Sequence, residues 1–127
     1  MVKPWLADFS WPAVTAINAQ LCEAKHALHK PTSDGHDEAQ ALWESHYRNA
    51  ISLTEAVDLC RQCHWIAPFC FFNGNTFVAI ISIALREIQG LSGTELYVLR
   101  SVAGHIVAGT ANQEEERQFR DLITKLA

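Results

Sequence analysis

The sequence predicts an all-α fold, a compact bundle of about six helices around a central apolar helix over residues 76–89. Three observations predict it. Apolar residues recur at helical spacing in successive stretches. Cap signals stand ahead of most of those stretches, at Ser10, Ser52, Ser92 or Thr94, and Asn112. The connections between them are short and marked by Pro or Gly.

The first helix follows Ser10, with Pro12 in its first turn, where a missing N–H costs nothing. Phe9 and Val14 are placed as a hydrophobic staple. Its stripe is Val14, Ile17, Leu21, Ala24 and Leu28, and Pro31 should end it near His29. A loop follows from Pro31 to Gly35. The second helix is expected from about Asp37 to Asn49, with Ala39, Leu42, Trp43, His46, Tyr47 and Ala50 on one face. Ser52 and Glu55 form a capping box for the third, whose stripe is Leu53, Ala56, Val57, Cys60, Cys63 and Ala67. Pro68 ends it, and a loop runs to Asn75.

The fourth helix, Thr76 to Gln89, is apolar almost all round and should be wrapped by the others, with Gly90 closing it. The fifth carries Leu96, Leu99, Val102, Ala103 and Ile106 and stops near Gly109. Asn112 and Glu115 box the start of the sixth, whose stripe is Phe119, Leu122, Ile123 and Leu126. Glu114, Glu115 and Glu116 sit in its first turn, where the helix dipole favours negative charge.

A chain of 127 residues suits one domain, residues 1–127, with one core. Hydrophobic residues at 49% and charged residues at 19% exclude a disordered chain. A net charge of −4 argues against binding nucleic acid by bulk electrostatics. The longest unbroken apolar run, Phe77 to Ile81, falls far short of the roughly 20 residues of a membrane span. The N-terminus lacks a continuous apolar signal region, so a cytoplasmic location is expected. The four cysteines are then thiols or metal ligands.

Cys60-Arg61-Gln62-Cys63-His64 matches C-x-x-C-H. Haem attachment would use both thiols and place His64 on iron. The missing export signal, the lone Met1 and the mid-helix position in phase with the apolar stripe all count against it. Zinc could draw on Cys60, Cys63, His64 and Cys70, although structural sites usually take paired ligands from two separate knuckles. The favoured reading makes Cys60 and Cys63 small core residues one turn apart, with Cys22 in the core as well. His26, His29, His36, His46 and His105 show no strong metal spacing and read as surface residues. Four tryptophans are many for this length; any that stay exposed would mark a partner surface.

Asn73-Gly74-Asn75 joins two helices, and a Gly-containing turn entering a helix N-terminus is a natural anion or nucleotide loop. The structural alternative gives Gly74 to the turn and makes Asn75 the cap.

This loop and the helices around it resemble the Fic/Doc (death-on-curing) family, whose motif runs H-x-F-x-[DE]-G-N-[GK]-R at the start of its central helix. Phe71, Gly74 and Asn75 match the motif. Val78-Ala79 and the apolar run are similar to the family's central helix, and Val102-Ala103-Gly104-His105-Ile106 to a small-residue turn of the Doc branch. The resemblance covers about Ser52 to the C-terminus.

Three positions depart from the motif. Phe69 stands where the family has its general base, and a phenyl ring cannot accept a proton. Asn73 replaces the acidic Mg²⁺ ligand. Thr76-Phe77 replaces the pair that clamps phosphates. His64 lies five residues ahead of the motif position and is not expected to stand in for it.

The resemblance therefore implies a degenerate Fic/Doc-like protein with no catalytic residue and no cofactor, acting through a protein partner or self-association. It also implies a link to a toxin–antitoxin system or a mobile element. One alternative is an active nucleotidyl- or phosphotransferase with rearranged catalytic residues, using a nucleotide with Mg²⁺. Others are a zinc- or haem-binding domain and an unrelated helical interaction module. Neither nucleic acid nor membrane is expected as a partner.

Overall fold

The computed structural model describes residues 1–126. It is an all-α bundle of six helices: α1 (Trp11–Ala24), α2 (His36–His46), α3 (Leu53–Ile66), α4 (Asn73–Ala84), α5 (Gly93–Ala108) and α6 (Gln113–Leu126). A short antiparallel ribbon that the periodicity did not indicate joins β1 (Val2–Lys3) to β2 (Ile51–Ser52), with Val2 opposite Ser52. No helix among the described residues is long and apolar enough to cross a membrane.

The centre is shared. α3 packs on α2, α4 and α5, while α4 packs on α1, α3 and α5, and α6 lies on α5. Phe77, Ile80 and Ile81 of α4 are buried with Leu85 just beyond it. The same helix leaves Ile83 41% exposed, so α4 is not wrapped on every side as its composition suggests. The other helices supply Trp43, Leu53, Val57, Leu99, Val102, Val107 and Phe119 to one continuous core.

Three capping boxes form, at Ser52 and Asn112 where the sequence indicates a box, and at Ser92, which the sequence offers as a cap beside Thr94. The Ser52, Ser92 and Asn112 side chains accept from the backbone N–H three residues on, and the carboxylates of Glu55, Glu95 and Glu115 reach back. Gly109 closes α5 in the left-handed region at φ 80°.

Three helices have other bounds than the sequence predicts. α1 ends at Ala24, not near His29. His26 turns left-handed at φ 54°, and Ala27 N–H donates to Cys22 O at 2.8 Å, closing a Schellman motif without glycine. The chain then runs extended beside residues 68–70, with Cys70 N–H donating to Lys30 O and Thr32 N–H to Pro68 O. This pairing takes Leu28 out of the apolar stripe and leaves it 60% exposed. α2 begins one residue early and stops at His46, because the chain must turn to reach β2; His46 and Ala50 are exposed.

α4 starts at Asn73 and ends at Ala84, not 76–89. Leu85 and Ile88 keep packing on the core from a following turn, so their spacing imitated two more helical turns. Gly90, at φ 95°, belongs to that turn and not to the helix end.

The carboxylates of Glu55, Glu95 and Glu115 are all held below their ordinary value of 4.5. Bonds with Ser52 lower Glu55, Lys125 and then Ser92 lower Glu95, and His105 and then Asn112 lower Glu115. A depressed folded value means that their contribution is complete above about pH 4.5 and is lost as pH falls through the folded values. Replacing all three by Gln should flatten the acid limb of melting temperature against pH below about pH 4.5. An unchanged limb would show that these caps do not set acid stability.

Candidate functional site

The site is built around the first turn of α4. Phe72 enters the helix in the left-handed conformation, at φ 62°, and its carbonyl accepts from Thr76 N–H. Asn73, Gly74 and Asn75 are therefore the first helical residues rather than a loop before the helix. Their backbone N–H groups have no acceptor among the described residues. Asn75 is not the cap: Phe72 holds that position, and no side-chain cap bond forms there among the described residues.

Gly74 is not left-handed, and a close neighbour accounts for it. A Cβ there would lie 3.2 Å from His64 Nε2. His64, in the last turn of α3, donates from Nδ1 to the Val107 carbonyl at 2.9 Å. That bond turns Nε2 toward the start of α4, where it has no hydrogen-bond partner among the described residues. The fold thus brings to this turn a histidine that sequence spacing placed away from it.

The three departed motif positions are all occupied by structure. Phe69 is 2% exposed and stacks on Trp11, with ring centroids 5.9 Å apart and 14° between planes. The His29 and His36 rings flank it. The Asn73 carboxamide closes back on the same residue, accepting from Phe69 N–H at 2.9 Å and donating to its carbonyl at 2.7 Å. Phe77 is fully buried against Trp43.

Sequence reasoning missed Asn18, which is fully buried. Its Nδ2 donates to Phe71 O at 2.8 Å and to Thr76 Oγ1 at 3.0 Å. Its Oδ1 accepts from His29 Nδ1 at 2.8 Å and from Cys22 Sγ at 3.6 Å. Its signal was an Asn one turn after Val14 on an apolar face.

Cys22, Cys60 and Cys63 are buried, and Cys70 is exposed. Burial pushes the Cys63 thiol up to about 12; burial, and then the neighbouring Cys63, pushes Cys60 well up too. Metals bind thiolates, which these two positions disfavour. Cys63 Sγ is turned to the Ala39 carbonyl, and His64 faces Val107 and Gly74. Among the described residues no group of three or more His, Cys, Asp or Glu is arranged to hold a metal ion.

Two aromatic side chains also stand open to solvent. Phe71 is 48% exposed beside Phe72. Trp65 is 65% exposed, with the Arg61 guanidinium over its ring at 5.0 Å and its indole beside Gly109. Compared with family models, curated proteins and solved structures, the chain matches none.

Two stability measurements test this geometry. Phe69→Ala should cost about 3–5 kcal/mol in urea denaturation, as a buried ring does and a solvent-facing residue does not. A loss under about 1 kcal/mol would show that the ring is not core. Gly74→Ala gains helix propensity but meets His64. In a His64→Ala background it should stabilise by about 0.5–1 kcal/mol, and alone by less. Equal effects in both backgrounds would deny the contact.

Proposed function

We propose that this chain is a non-catalytic binding protein of Fic/Doc-like architecture that acts by contact with another protein. The observation that carries the reading is the fate of the three motif positions. Phe69 is stacked in the core, the Asn73 amide is spent on the Phe69 backbone, and Phe77 is buried against Trp43. A base, a metal ligand and a phosphate clamp must face a substrate, and none of these side chains does. Trp65 and Phe71 offer the kind of exposed aromatic surface that protein contacts use. The link to a toxin–antitoxin system or mobile element rests on the resemblance alone.

A second reading keeps a nucleotide. The N–H groups of Asn73, Gly74 and Asn75 have no acceptor among the described residues, and Nε2 of His64 lies 3.2 Å from where a Cβ on Gly74 would be. Such a turn suits a phosphate, and His64 could take a proton from a target hydroxyl in place of the motif histidine.

Thermal-shift titration with ATP and GTP, each with and without Mg²⁺, separates the two. The binding-protein reading expects a flat response. A nucleotide held at this turn would stabilise by about 2.7 kcal/mol at 100 times its Kd, and Gly74→Val should abolish that gain. A saturable shift lost in that variant would overturn the non-catalytic reading.

A further inference from the structure

α4 and α5 pack so closely that a Cβ on Gly104 would lie 3.2 Å from Val78 Cγ1. Outside this contact the two helices leave an open groove of about 410 Å³. Small residues, Ser82, Ser101, Gly104 and Ala108, line its length, and Tyr97 stands at the rim 74% exposed.

Arg100 crosses the groove. Its Nε donates to Ser82 O at 3.1 Å and one terminal nitrogen to Ser82 Oγ at 2.8 Å. A guanidinium has five N–H donors, so the rest of its fork is left without an acceptor among the described residues. No carboxylate among those residues pairs with it. The imidazole in the groove, His105, is already engaged by Glu115. On a chain of net charge −4, this groove holds an uncompensated cation.

We infer that the α4–α5 groove is the docking site for an acidic segment of a partner protein. A carboxylate takes the free half of the Arg100 fork, and an apolar side chain lies on the floor at Gly104. The inference rests on the binding-protein reading and names the partner's chemistry. Charge decides between occupants. A second copy meeting this face about a two-fold axis would bring Arg100 toward Arg100, and like charges repel. A carboxylate instead meets a guanidinium held by Ser82, in the bidentate geometry that arginine favours. The open groove fits a helix or extended segment better than an enclosed small molecule.

Selection of a displayed random library of peptides about 16 residues long, some four helical turns, tests this on the full chain. Enriched peptides should be net acidic. Their affinity, read by fluorescence anisotropy, should fall about tenfold or more in Arg100→Glu and in Ser101→Arg, which fills the groove from an exposed position. A peptide with its Glu changed to Lys should recover binding to Arg100→Glu. Melting temperatures of both variants confirm folding. Enrichment of peptides that ignore both variants, or that carry no acidic bias, would overturn the groove while leaving the binding reading intact. A dimer seen by sedimentation and abolished by Ser101→Arg would give the groove to a second copy and overturn the acidic partner. An absence of enriched peptides would also count against the groove; joined to nucleotide stabilisation, it would remove both readings.

Discussion

Inside the bundle, away from water, the carboxamide of Asn18 ties α1 to the start of α4. Both its ends are occupied, by Phe71 O and Thr76 Oγ1 on one side and by His29 and Cys22 on the other. A buried amide left without partners costs about 1–3 kcal/mol, so a slip of either helix is penalised at once. The register this sets puts Trp11, earlier on α1, against Phe69. It also draws the segment after α1 beside residues 68–70, which is why that helix stops early.

Once Phe69 belongs to that stack, the turn that follows is constrained from both sides. Asn73 binds the Phe69 backbone through both ends of its amide, and Phe72 accepts a left-handed conformation to start the helix. Such a conformation costs roughly 1–2 kcal/mol for a residue with a side chain and persists where the surroundings over-determine it. Here the surroundings are the Asn73 clamp and the Asn18 amide. The same turn leaves three N–H groups without an acceptor among the described residues, with Nε2 of His64 against Gly74. Packing therefore consumes the side chains at the motif positions but spares the backbone donors.

Away from this turn, α4 has an uncovered side. Close approach at Gly104 seats α5 deep against Val78, and among the described residues the channel beside that contact is lined by α4 and α5 alone. Arg100 is held there by Ser82, and no carboxylate among the described residues pairs with it. An apolar helix composition thus reflects two surfaces of different kinds, one packed against α1 and α3 and one open at Ile83.

Much of the bundle was legible because its causes are local. Capping boxes at Ser52 and Asn112 need only residues three apart, and the stripes of α3, α5 and α6 need only helical spacing. The turn at residues 73–75 was legible as a place, but not as the start of a helix. The role of Gly74 was misread because its neighbour, His64, arrives from another helix. Asn18 and the stacking of Phe69 on Trp11 depend on partners 53 and 58 residues apart in sequence. The sequence by itself determined the helical class, the caps and most of the buried stripes, because those follow from short-range geometry and alternating polarity. The tertiary structure alone decided where α1, α2 and α4 end, which histidine faces the α4 turn and which face of α4 stays open. Those outcomes depend on which distant groups meet, and no local pattern records that.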